Sequence, residues 1–317
     1  MKASLRHALL ATAAAACFSV SAHAAEFINV LTGGTSGVYY PLGVALSQIY
    51  AKALPDAKTS VQATKASAEN LNLLQAGRGE IGFTLGDALS EAWKGNEEAG
   101  FKTPLKKLRT VAAIYPNYIQ IVASAESGIK TLADLKGKNV AVGAPKSGTE
   151  LNARDIFKAA GMSYKDFGKV EYLPFGESVE LMKNRQLDAT VISAGLGVAA
   201  LRDLATSVPI TVIPIPAEVV NKIGEAAYQV GTVPADTYSG QTTAVPTVAV
   251  QNFLVTHEGV PTDIVYAMTK SMFANLDQLA AAHAAAKAIN KDNAAKQPPV
   301  PLHPGAEKYY REAGLIK

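Results

Sequence analysis

Phe27-Ile28-Asn29-Val30-Leu31-Thr32-Gly33-Gly34-Thr35-Ser36-Gly37, followed by Val38, Leu42, Ala45, Leu46 and Ile49, decides the fold. Five residues of β-branched and apolar character read as a strand. The glycine, serine and threonine run is a turn, and the apolar positions after it recur at helical spacing. Pro41 falls in the first turn of that helix, where its missing N–H costs nothing. A strand running through such a loop into a helix is the unit of a parallel α/β sheet. Residues 59–62, 81–85 and 111–114 read as further strands, with helices over 68–75 and 88–94.

The plan recurs downstream. Asn139-Val140-Ala141-Val142 is a strand, Gly143-Ala144-Pro145-Lys146-Ser147-Gly148-Thr149 a loop, and a helix runs on through Ala160. Ser147 and Glu150 have capping-box spacing, and Gly161 supplies a left-handed stop. Leu73-Leu74-Gln75-Ala76-Gly77-Arg78-Gly79-Glu80-Ile81-Gly82-Phe83 parallels Leu181-Met182-Lys183-Asn184-Arg185-Gln186-Leu187-Asp188-Ala189. Each is a helix end with an arginine turn leading into a strand, so two similar lobes are expected. Extended stretches at 118–124 and 245–256 fall at the lobe borders and read as hinge strands. An alanine-rich helix is expected over 279–288, and a last helix follows Pro298-Pro299-Val300-Pro301.

The first residues bear on compartment. Lys2 and Arg6 precede an apolar run over 8–20, and Ala22-His23-Ala24 is a small-x-small cleavage signature. That order describes a secretory signal peptide over 1–24 and predicts a periplasmic protein. The apolar run is too short to span a bilayer. Cys17, the one cysteine of the chain, lacks the upstream aliphatic residue of a lipobox and would leave with the signal, so no disulfide is expected afterwards. The formal charge of +3 becomes +1 without Lys2 and Arg6, since residues 1–24 contain no Asp or Glu. With no basic block, nucleic acid and anionic membrane surfaces are not expected partners.

Both strand–loop–helix junctions expose unpaired backbone N–H groups at the positive end of a helix dipole, and the hydroxyls add donors. Such junctions suit carboxylate or phosphate. The plainer reading, that Ser and Thr only cap the helix, applies to each junction singly. Two junctions in two lobes favour a ligand, because parallel sheets bind at the carboxyl ends of their strands. Sharper motifs fail. Gly143 to Thr149 approximates a phosphate loop, but Thr149 stands where lysine belongs. Gly77-Arg78-Gly79-Glu80-Ile81-Gly82 has the dinucleotide spacing, yet runs from helix to strand, the wrong order. Beyond residue 24 only His257, His283 and His303 remain, without metal-ligand spacing, and the glycine loops lack a neighbouring base. No catalytic residue, metal or cofactor is expected. Asp87, just past a strand end, is a carboxylate that could face a ligand or serve structure alone.

Thr32-Gly33-Gly34-Thr35-Ser36-Gly37-Val38-Tyr39-Tyr40 resembles the signature of the TAXI class of solute-binding proteins of TRAP transporters. The resemblance continues through Ser67-Ala68-Glu69-Asn70, Pro145-Lys146-Ser147-Gly148-Thr149, Tyr238-Ser239-Gly240-Gln241 and His303-Pro304-Gly305-Ala306-Glu307-Lys308-Tyr309-Tyr310. It implies an α/β, two-lobed periplasmic-binding-protein fold of type II-like form, its ligand cleft lying between lobes joined by hinge strands. Residues 25–117 and 250–317 would form lobe I, and 118–249 lobe II. It also implies a monomeric receptor that takes a dicarboxylate such as 2-oxoglutarate, or a glutamate-like amino acid, to sodium-coupled permease subunits. The residues expected at the ligand are Gly34, Thr35, Gly37 and Tyr39; Ser67, Asn70, Asp87 and Tyr115; and Ser147, Gly148, Thr149 and Ser193. Where relatives carry proline after Ile192, this chain has Ser193-Ala194-Gly195-Leu196-Gly197, so that wall of the pocket differs. A sensory partner of a membrane kinase, or an enzyme on the same scaffold, are the rival readings.

Overall fold

The computed structural model describes residues 27–317. The expected signal segment and Cys17 lie outside them. In the first lobe β1 (Phe27–Leu31), α1 (Tyr39–Ala53), β2 (Lys58–Gln62), α2 (Ser67–Gln75), β3 (Ile81–Leu85) and α3 (Gly86–Lys94) alternate. The long strand β4 (Leu108–Ser124) leads into the second lobe. There β5 (Asn139–Ala141), α4 (Gly148–Ala159), β6 (Lys169–Glu171), α5 (Phe175–Lys183) and β7 (Ala189–Ala194) repeat the pattern. After α6 (Ala199–Ser207), β8 (Ile210–Ile213), α7 (Ala217–Ile223) and β9 (Tyr228–Val233), the chain returns through β10 (Val245–His257). It ends with α8 (Thr262–Ala274), α9 (Leu276–Ala282) and α10 (Pro304–Glu312).

One mixed sheet runs β2-β1-β3-β10-β4-β7-β5-β6, with β8 beside β4 and β9 beside β10. The two long strands β4 and β10 are antiparallel and carry both halves. β10 pairs with β3 over Asn252 to Val255, whereas β4 pairs with β7 over Tyr118 to Ala123. The sheet therefore changes partners near Asn117. Every residue of β3 and of β7 is buried, as in strands covered on both faces.

The expected strands at 111–114 and 118–124 are one strand. Pro116 suggests a break, because proline cannot donate to a ladder. Here it lies opposite Gln251, beside a register shift in β10, where proline is tolerated. That shift leaves Asn252 out of register, and the bulge aims its side chain inward, where Nδ2 donates to the Tyr115 carbonyl at 2.8 Å. The alanine-rich helix is also corrected. It breaks at His283, which is extended at φ −157° and ψ 135°, and a 3-10 turn follows. The His283 Nδ1 accepts from the Ala285 N–H at 3.1 Å and so begins that turn.

The two lobes match beyond their element order. The Asn29 N–H donates to the Glu80 carboxylate at 2.7 Å, and the Asn139 N–H to Asp188 at 2.8 Å. In return the Glu80 and Asp188 N–H groups donate to the carbonyls of Asn29 and Asn139. The helix-end turns also match, but Gly77 corresponds to Arg185, not Arg78 to Arg185. Both take left-handed backbone, at φ 67° and 57°. Among the described residues no helix is long and apolar enough to cross a membrane.

Candidate ligand-binding cleft

A partly open cavity of about 120 Å³ lies where the lobes meet, with Gly34, Lys65 and Pro174 of its lining exposed. Helix starts surround it, for a sequence reason. Each βα unit turns from strand to helix on the same side of the sheet, which brings the first turns of α1 and α2 opposite those of α4 and α5. Gly34, Gly37 and Tyr39 come from the α1 loop and Ser67 from α2, while Ser147, Gly148 and Thr149 come from α4 and Pro174 and Phe175 from α5. The lobes touch across it. A Cβ on Gly148 would lie 2.5 Å from the Ser67 Oγ and 2.6 Å from a Leu85 methyl, while the Phe175 ring lies 3.7 Å from the equivalent point on Gly37.

The donors converge at this contact. In α2 the first N–H with a backbone acceptor is that of Asn70, on the Ala66 carbonyl. In α4 the Glu150 N–H is held by the Ser147 Oγ at 3.1 Å. The N–H groups of Gly148 and Thr149 have no acceptor among the described residues. The Thr149 hydroxyl also lacks a partner there, although the residue is only 5 % exposed. Both helices are entered through strained backbone. Ala66 has φ 69° and ψ −144°, a region almost reserved for glycine, and Lys146 has φ 62°. Strain of about 1–3 kcal/mol per residue persists where the surroundings dictate the shape, and it collects at binding sites.

Polar side chains form the floor. The Tyr39 hydroxyl donates to Asn252 Oδ1, Asn252 Nδ2 donates to Asn117 Oδ1 at 2.7 Å, and Asn117 Nδ2 donates to the Ser193 carbonyl at 2.8 Å. This chain joins the lobes through β10 and β4 and leaves Asn117 with no free polar group toward the cavity. The Tyr39 ring stacks on Phe83 at 4.9 Å, and burial raises its hydroxyl pKa far above the usual value.

A model of the NMT1-like family matches residues 30–314. The chain belongs to that family. A solved structure described as a periplasmic transporter aligns with a TM-score of 0.58 at 12 % identity, covering 92 % of this chain and 94 % of the other. The methylphosphonate complex of PhnD1 from Prochlorococcus marinus aligns at 0.56 and 13 % identity, covering 92 % and 99 %. At such identity the likeness speaks for the fold, which is the two-lobed periplasmic-binding-protein fold that the sequence implied.

In this NMT1-like protein the expected site residues divide. Gly34, Gly37, Tyr39, Ser67, Ser147, Gly148, Thr149 and Ser193 line the cavity. Four others do not. Thr35 lies at the rim, in an outer groove beside Pro174 and Gly176. Asn70 is buried behind the wall, where Nδ2 donates to the carbonyls of Thr32 (2.7 Å) and Phe83 (2.8 Å) and Oδ1 accepts from the Thr64 hydroxyl (2.7 Å). It braces the glycine loop. Tyr115 is wholly buried below the floor, and its hydroxyl has no partner among the described residues. Asp87 points away, to a separate contact between the lobes. Its Oδ2 accepts from Asn152 Nδ2 at 2.7 Å and from the Tyr228 hydroxyl at 2.9 Å, while Oδ1 has no described partner. Burial above all pushes its pKa up to about 7, and the Asp155 and Glu225 carboxylates add to the rise.

Ser147 does cap α4, but the capping box is half made. The Glu150 carboxylate turns instead to Arg154, at 2.7 and 2.8 Å. Sequence reasoning passed over Lys65, Asn117, Leu85 and Phe175, which also line the cavity. Pro174-Phe175 begins a helix after a strand, the same signal that singled out the α1 and α4 loops. Asn117 lies within a strand and carries no such signal.

Proposed function

We propose that this chain is an extracytoplasmic solute-binding receptor, a TAXI-type partner of a sodium-coupled TRAP permease, and not an enzyme. It captures a small carboxylate between its lobes in the periplasm. The observation that carries the reading is the meeting of two helix starts, α2 and α4, with free N–H groups around one cavity between the lobes. The Thr32 to Tyr40 signature supports the transporter type, and the methylphosphonate in the PhnD1 complex is a small anion in a protein of like fold. Lys65 is the one formally charged side chain among the lining residues, and no carboxylate or histidine stands there to act as a base. The lobes part between 117 and 118 and between 249 and 250, and the ligand is enclosed by rotation about β4 and β10.

Calorimetry on ligand-stripped protein tests this, with Ser147→Ala and Thr149→Ala combined. Charge-assisted hydrogen bonds are worth about 1.5–3 kcal/mol each, so small-acid affinity should fall at least tenfold. Loss of the cap costs about 1 kcal/mol of stability. Unchanged affinity with a lowered melting temperature would leave only the capping role. Small-angle scattering should show a smaller radius at saturating ligand.

A further inference from the structure

The size and chemistry of the cavity narrow the ligand class, an inference that rests on the receptor reading. An apolar cavity of about 150 Å³ holds one benzene, so about 120 Å³ holds about five non-hydrogen atoms. Glutamate and 2-oxoglutarate have roughly twice that number. The walls are largely apolar, made by Val38, Leu85, Phe175 and Ala194 with the Tyr39 ring. The free donors gather where Ser67 meets Gly148 and Thr149. The unpartnered hydroxyl of Thr149, itself 5 % exposed, is a polar group held ready among them.

Each feature excludes part of the expected ligand range. An α-ammonium group would find no carboxylate, because Asp87 faces Asn152 and Tyr228 in another contact. A buried unpaired charge is costly. A second carboxylate could meet only the exposed Lys65 or the Ser193 hydroxyl, since Leu85 and Phe175 are apolar and Asn117 is bonded at both ends. One anionic head on the α4 donors and a compact apolar tail match the volume and the apolar walls at Val38, Leu85, Phe175 and Ala194.

We infer that the cleft takes a short-chain monocarboxylate of about propionate or butyrate size, in preference to a five-carbon dicarboxylate or an amino acid. Calorimetry against propionate, butyrate, ethanesulfonate, glutamate and 2-oxoglutarate tests it. Propionate or butyrate should bind at least tenfold more tightly than the other three. Equal or tighter binding of glutamate or 2-oxoglutarate would overturn the size argument and leave the receptor reading standing. Tighter binding of ethanesulfonate would overturn the choice of head group. Heat from none of the five, with no shift in melting temperature, would overturn the receptor reading and this inference together. Phe175→Ala supplies a second arm, because it trims a half-buried wall. Butyrate affinity should fall and hexanoate affinity rise at least fivefold over wild type. Hexanoate binding unchanged by that substitution would show that Phe175 does not bound the ligand.

Discussion

Gly148→Ala should separate lobe closure from lobe stability. Gly148 opens α4, and its φ lies outside the left-handed region, so alanine fits the backbone. Alanine gains up to about 1 kcal/mol over glycine in a helix. Each lobe should therefore be as stable as before, or slightly more so. The added methyl, however, would sit 2.5 Å from the Ser67 Oγ, 2.6 Å from a Leu85 methyl and 3.1 Å from the Ser67 Cβ. Ordinary contact needs about 1 Å more, and the Ser67 Oγ is held by the Leu85 N–H at 3.2 Å. Forcing one methyl into such a contact costs roughly 1–3 kcal/mol. Since only the closed form pays it, the dissociation constant for butyrate should rise by about 5- to 150-fold. Calorimetry reads the affinity, and scattering should show a larger radius at saturating butyrate than for wild type. Wild-type affinity with a wild-type radius would refute the claim that Gly148 and Ser67 meet on closure.

Asp87→Asn should raise stability above neutral pH. Burial lifts the Asp87 pKa to about 7, and burial also raises Asp155 and Glu225. The folded state thus keeps protons that the unfolded chain releases between about pH 4 and 7, and stability falls as pH rises through that window. The variant should flatten this slope and gain about 2–4 kcal/mol at pH 8 in urea melts, and a loss there would contradict it. Asn152 can turn its own unpartnered Oδ1 toward the new amide. Tyr39→Phe leaves the buried Asn252 Oδ1 without its donor, so about 1–3 kcal/mol of stability should go while the stack on Phe83 remains. Asn70→Ala removes a donor from the Thr32 and Phe83 carbonyls, of which Thr32 keeps the Thr64 hydroxyl at 2.8 Å, and should cost about 1–3 kcal/mol by thermal melting.

Hydrophobic period and glycine-rich turns are local signals, and what they control was legible. The strand at Phe27–Leu31, the loop helices α1 and α4, and the stop at Gly161 follow from residues close in sequence. The cavity-lining glycines and hydroxyls were legible for the same reason, since a helix start announces its free N–H groups. Direction across the fold was not. Asp87 reads as a cleft carboxylate until Asn152 and Tyr228 come to it from the other lobe. Asn117 and Asn252 meet only because a bulge in β10 turns one toward the other. The size of the cavity, on which the inferred ligand class rests, belongs to the packing of two lobes and to neither alone.

The most direct measurement is a crystal structure of the protein grown in saturating butyrate. The carboxylate should lie between the lobes, within about 3 Å of the Gly148 and Thr149 N–H groups, with its alkyl chain toward Leu85 and Phe175. Butyrate bound only outside the cleft, or lobes closed with the cavity holding none, would contradict the account.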